Sequence, residues 1–366
     1  MAVGIAATGM LAAGPLGLVP WTSSPASAAS SATTFVQTNL ISDLTTVGAQ
    51  VVDPELLNPW GLAFDPISLW VSGNNSDVST VYGIAPGGLS ATPNELTVNI
   101  PGGRASTDDG SSPTGQVFNP TSGFEVSSSS GSGPALFITD SESGQLTGWN
   151  PAAGLNDAVL EFSSPTAVYK GLAIATGDLG TFLYAANFHD GTVDVFDSNW
   201  QLTQLPGGFT DPSLPRGYAP FGIQTINNLI YVSYALQDAS AHDDVPGIGH
   251  GFIDVYTPDG FLVKRLASRG LLDSPWGMAI APSTFGQFAG DLLVGNFRNG
   301  RINVLDPLTG RFLGQLKNTA GKPITIDGLW ALTPGTATEG GTGTIIFSAG
   351  LNDENDGLVG SINPAS

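Results

Sequence analysis

Short apolar runs alternate with glycine-rich polar turns along the whole chain, and no sustained helical stripe appears after residue 30. Apolar runs of this length, bounded by Gly, Pro, Asn and Asp, read as strands. One unit recurs, an apolar strand entered through glycine. Its clearest copies are Asn58-Pro59-Trp60-Gly61-Leu62-Ala63-Phe64 and Ser274-Pro275-Trp276-Gly277-Met278-Ala279-Ile280. Looser copies centre on Gly123, Gly171, Gly222 and Gly328. The six marker glycines lie 62, 48, 51, 55 and 51 residues apart.

A second apolar run follows each marker, as at 69–72 and 183–186, and an alternating third run follows that, as at 191–197. Turns such as Pro258-Asp259-Gly260 and Leu308-Thr309-Gly310 lead into a fourth. Four short strands repeated near every fifty residues are the pattern of a propeller blade. The prediction is an all-β, six-bladed β-propeller with blades at about 58–101, 119–163, 168–206, 219–268, 274–317 and 326–364. The sixth unit ends after its third strand, while a lone strand at 35–41 precedes the first marker. Pairing the two closes the ring and leaves no open edge.

Composition sharpens this picture. With 49 Gly, 26 Pro and only 11% charged residues, the chain suits tight turns between strands and a single closed domain. Net charge is −20, which repels phosphate backbones and anionic lipid and excludes nucleic acid as a partner. The absence of cysteine removes disulfides and thiolate metal sites. An apolar segment at 3–19 followed by Ala26-Ser27-Ala28 reads as a signal peptide over 1–28, with the propeller at 29–366. The expected product is exported, monomeric and without a transmembrane anchor.

Antiparallel strands sort the loops onto two faces. Loops leading into strand one and loops joining strands two and three share the upper face, where the long and polar ones collect. The expected ligand-binding residues there are Asn58, Tyr169, Lys170, Asn187, His189, Arg216, Asp238, Asn296, Arg298 and Asp327. His242, Asp243, Asp244 and His250 of a long blade-four loop, with Asp353, form a candidate set for Ca²⁺ or another divalent cation. The bland readings are turn capping for the recurring asparagines, ion pairing for Lys170 and Arg298, and inter-blade packing for Trp60 and Trp276.

Tyr169-Lys170-Gly171-Leu172-Ala173, Leu183-Tyr184-Ala185-Ala186-Asn187-Phe188, His242-Asp243-Asp244-Val245 and Leu293-Val294-Gly295-Asn296-Phe297 occur in that order after the Asn58-Pro59-Trp60-Gly61 unit. Together they resemble a family of exported bacterial propellers, some with PEP-CTERM sorting tails. The resemblance implies the fold and export but transfers no catalytic residue. Likeness to NHL-type, TolB-like and gluconolactonase-like propellers is at the level of fold alone. The functional expectation is binding of a small polar ligand or glycan at the upper mouth of the channel, with or without a bound cation. The alternatives are a metal-dependent, lactonase-like hydrolase, in which a cation polarises a carbonyl, and a structural cell-surface module.

Overall fold

The computed structural model describes residues 32–102 and 110–365, so the leader expected over 1–28 lies outside the described residues. Six antiparallel sheets form the blades of a propeller. The inner strands of the six blades are Pro59–Phe64, Pro113–Phe118, Tyr169–Gly177, Tyr218–Ile226, Pro275–Ile280 and Leu329–Pro334. Each successive strand steps outward from the axis. No helix among the described residues is long and apolar enough to cross a membrane.

Closure follows the expected route. Phe35–Ser42 pairs antiparallel with Asp356–Pro364 and completes the last blade from the N-terminal end of the chain. Phe35, Leu40 and Ile41 are fully buried, and Phe35 stacks on Phe285 and Phe288 of blade five. Val51–Val52 adds a short parallel strand outside it.

Two marker positions differ from the sequence reading. Strand one of blade two is Pro113–Phe118, not the segment at Gly123, so that blade begins before residue 119. Gly115 fills the position of Gly61. The reading missed it because Gln116 replaces the apolar residue after the glycine and Thr114 replaces the aromatic before it. The Gly123-Phe124 segment instead leads into Glu125–Ser127, which pairs with Ser132–Pro134 as a separate hairpin, with Phe124 buried against Trp200. In blade six Gly328, at φ 58°, is a turn residue, and Ala331 holds the marker position. The markers are therefore 61, 115, 171, 222, 277 and 331, a far more even spacing.

Why the marker is small follows from packing. The pairing of strands one and two slips at every marker, and there the inner strand of the next blade comes close. A Cβ on Gly277 would lie 2.4 Å from the Trp330 carbonyl oxygen and 2.7 Å from the Leu332 nitrogen. At Gly171 the nearest atom would be 3.4 Å away, an ordinary contact. Gly277→Ala is expected to cost about 1–3 kcal/mol, because backbone has to move. Gly171→Ala is expected to be neutral or to stabilise by up to about 1 kcal/mol through lost unfolded-state entropy. Denaturant unfolding of the two variants tests the contrast.

Candidate functional site

The residue before each marker occupies one register around the axis: Trp60, Thr114, Lys170, Phe221, Trp276 and Trp330. Most of them meet and close the channel on the upper side. Trp330 stacks on Trp60 at 3.5 Å and on Phe297 at 3.8 Å. Trp276 meets Trp60 and Trp330 edge-on at 6.1 and 5.8 Å, and its Nε1 donates to the Lys170 carbonyl at 2.7 Å. Phe221 packs on Phe188 and Trp330. Aromatic pairs of this kind contribute about 0.5–1.5 kcal/mol each beyond their buried area. Below this plug, a cavity of about 200 Å³ is lined by the lower halves of the inner strands, including Leu62, Val117, Leu172, Ile223 and Leu332. The upper face therefore presents a polar surface resting on a dry floor, not an open channel.

Lys170 is the charged member of that register. It is 2% exposed, and its Nζ lies 5.4 Å from the Trp60 ring centre and 6.0 Å from that of Phe188. The ammonium pairs with Glu142 and, at 3.2 Å, with Asp243. Burial pulls its pKa down, but the two carboxylates outweigh burial and hold it above the ordinary lysine value. Lys170 is thus a fixed charge inside an aromatic cage.

Around it lies a connected polar shell. Asn74 Nδ2 donates to Glu142 at 3.1 Å. Asp243 is 61% exposed and faces His242 Nδ1 at 3.2 Å. The His242 hydrogen bond, helped by Lys170, holds the Asp243 carboxyl well below the usual range. The same bond raises the His242 imidazole above its ordinary value. Asn58, a buried residue at φ 45°, accepts from Trp330 Nε1 at 3.0 Å and donates to Glu354 at 3.1 Å. Burial raises the Glu354 pKa, which Asn58 offsets in part, while Glu142 pushes it further up. Arg298 grips Asp244 through Nε and Nη2 at 2.8 and 2.7 Å and lies over the Phe297 ring at 4.4 Å. Planar two-point pairing of this kind fixes geometry as well as charge.

The structure brings together Asn58, Lys170, His242 and Asp243 of the predicted residues, with the Arg298–Asp244 pair beside them. It does not bring in the rest. Tyr169 is buried and donates to Asp194 at 3.0 Å, within blade three. Asn187 bonds Asp190 and Asp194 and accepts the Asp190 amide, so it caps its turn, while Asn296 donates to the Leu271 carbonyl of the linker before its blade and to Asn299. Asp238 organises its own loop through Ser240 and the His242 amide. His189, Arg216 and Asp353 are exposed, and Asp327 receives the Asn352 amide. His250 turns its Nδ1 to the Val245 carbonyl at 2.9 Å, apart from His242.

Of the expected cation set, His242 and Asp243 meet Glu142, with one donor atom each within 4.8 Å of the others. Lys170 Nζ already bonds both carboxylates, so a metal ion between them would have to displace its ammonium. Glu142 is not among the residues expected from the sequence. Its only signal is an acid just past strand two of blade two, the same turn that supplies Asn74 in blade one.

The sequence matches no described protein-family profile. It is 35% identical over 341 residues to uncharacterized protein R648 of Acanthamoeba polyphaga mimivirus, covering 90% of this chain and 80% of that protein. It is 36% identical over 320 residues to uncharacterized protein L690 of the same virus, covering 85% and 81%. Both relatives are viral, so neither matches the bacterial origin implied by the resemblance. Among solved structures, a glucose dehydrogenase superposes with TM-score 0.51 at 13% identity, covering 85% of this chain and 98% of that one. At that identity the likeness shows the fold alone.

Proposed function

The chain belongs to the same family as the mimivirus proteins R648 and L690, and for this member we propose an exported binding protein that takes a small polar ligand on the upper face of its propeller. The observation that supports this most is Lys170. At a register position where four blades place Trp or Phe, this blade buries an ammonium and meets it with Glu142 and Asp243. Well-packed apolar residues at such a site are often as stable as a buried ion pair or more so, by about 1–4 kcal/mol. A charge held there despite the aromatic alternative fixes the position of the half-exposed groups above it.

The ligand class follows from charge balance. Arg298 neutralises Asp244, and one lysine serves both Glu142 and Asp243. Glu354 adds a further acid. The surface favours a polyol or an amine over an anion, in keeping with the net charge of −20. A metal-dependent hydrolase would require the carboxylates to release Lys170 first, so binding is the better supported reading.

Isothermal titration against a panel of amines, sugars and inorganic anions tests the proposal. The expected result is binding of an amine or sugar that EDTA leaves unchanged and that Asp243→Asn weakens about tenfold, the loss of one charge-assisted hydrogen bond. Preferential binding of phosphate or sulfate, or indifference to Asp243→Asn, would contradict it.

A further inference from the structure

Blades one, four and six share a seam device directly under the upper face. The hydroxyl of Ser72 accepts the Gly61 amide at 2.9 Å and donates to the Thr114 carbonyl of the next blade at 2.7 Å. Ser233 does the same between Gly222 and Pro275, at 3.0 and 2.6 Å. Ser348 does so between Ala331 and Trp60, at 3.0 and 2.6 Å. In blade two the same register position holds Asp140, which is fully buried.

Asp140 Oδ1 accepts the Gly115 amide at 2.7 Å, as the serines accept theirs. The onward link to blade three runs through Thr114. Its Oγ1 lies 2.8 Å from Asp140 Oδ1 and 3.0 Å from the Tyr169 carbonyl oxygen. A hydroxyl carries one proton, and both of these neighbours are acceptors if Asp140 is ionised. One of the two contacts then fails, and the second carboxylate oxygen, which has no hydrogen-bond partner, is left as a buried anion. With a proton on Asp140 the chain closes. Asp140 donates to Thr114 Oγ1, and Thr114 donates to the Tyr169 carbonyl. This reproduces the serine bridge with one extra hydroxyl.

We propose that Asp140 is held as the neutral acid and, through Thr114, latches blade two to blade three beneath the ligand surface, so that ionisation releases the latch. The link bears on the proposed binding site because Glu142 lies two residues beyond Asp140 and Lys170 directly follows Tyr169. Ionising Asp140 loosens the two strand ends that carry this pair. The proposal rests on the binding reading only for that consequence.

The surroundings agree. The neighbouring strands Pro113–Phe118 and Gln145–Trp149 carry no titratable side chain. The strand Tyr169–Gly177 brings the Tyr169 phenol, which burial and nearby carboxylates hold neutral, and Lys170, whose ammonium is already paired. Burial raises the Asp140 pKa to about 7, against the hydrogen bonds from Thr114 and Gly115 that lower it.

Infrared difference spectroscopy of the whole protein at about pH 6 tests the protonation state without any ligand. The expected result is a carboxylic-acid carbonyl band that is absent from Asp140→Ser and disappears as the pH rises through the latch transition. Asp140→Ser, the residue three other blades use, is expected to fold and to unfold with a flatter pH dependence. Burial also shifts the acids Asp254 and Glu354 upward, so the reading is the difference between the two proteins, and an acid band no larger in the unsubstituted protein than in Asp140→Ser overturns the latch. If the band is present but ligand affinity does not change with its titration, the latch stands and its coupling to the site fails.

Discussion

A chain that begins at residue 43 is expected to lose cooperative unfolding. The deletion removes Phe35–Ser42, the outer strand of the closing blade, and with it three fully buried side chains, Phe35, Leu40 and Ile41. Fully burying side chains of this size is worth about 1.5–3 kcal/mol each. Their sum is comparable to the whole stability of an ordinary domain, about 5–15 kcal/mol. The deletion also bares the edge of Asp356–Pro364, a template for pairing with other chains. Size-exclusion chromatography should show aggregates or an expanded monomer, and near-ultraviolet dichroism should collapse. A milder form of the same experiment is Phe35→Ala, expected to cost about 3–5 kcal/mol because its stacking partners Phe285 and Phe288 cannot both follow it. A truncated chain that melts cooperatively near the full-length temperature would show that the ring closes without this strand.

The second large effect concerns Lys170, and it is asymmetric. Glu142→Ala removes the more buried of the two acids that hold the ammonium and leaves it with Asp243, which is mostly exposed. Breaking one side of a buried ion pair costs about 3–5 kcal/mol, because the remaining charge keeps its desolvation without its partner. Lys170→Met removes the buried cation itself. Asp243 is left near water, and Glu142 keeps its bond from Asn74. Met also fits among Trp60 and Phe188. Lys170→Met is therefore expected to cost much less than Glu142→Ala, while abolishing binding as fully. Chemical denaturation ranks the two variants. Equal losses would mean that Lys170 contributes mainly as a packed side chain and that its charge is incidental.

The repeat itself was legible in the sequence, because an apolar strand entered through a small residue is required by local packing in every blade. Where that signal failed, the cause was specific. Thr114 and Gln116 make the inner strand of blade two look polar, since Thr114 serves a hydrogen-bond chain and Gln116 accepts from Ser79 of blade one and from Thr139 of its own blade. The irregularity that hid the strand is thus the same one that supports the latch. The upper face was legible as a place, because strand alternation sorts the loops. Its membership was only partly so. Lys170 and Asp243 lie 73 residues apart in sequence, and Glu142 lies 28 from Lys170. Such distances say nothing of contact until the blades are placed around the axis. Asn187 and Asn296 carry the reverse lesson, since a recurrence that suggested a ligating ring serves separate hydrogen-bond sets, a turn for Asn187 and the linker carbonyl of Leu271 for Asn296.

Closure from both ends of the chain has a consequence for how the protein is made. Phe35 pairs with Pro364, so the strand at 35–42 finds its partner only after blades one to five have been synthesised. Loop closure across so many residues is entropically costly and slow to reach. Blades one to five draw all their strands from neighbouring sequence and can form in order, while the last blade waits. Until then the fully buried Phe35, Leu40 and Ile41 have no sheet to join. That delay makes the docking of Phe35–Ser42 onto Asp356–Pro364 the last step in closing the ring.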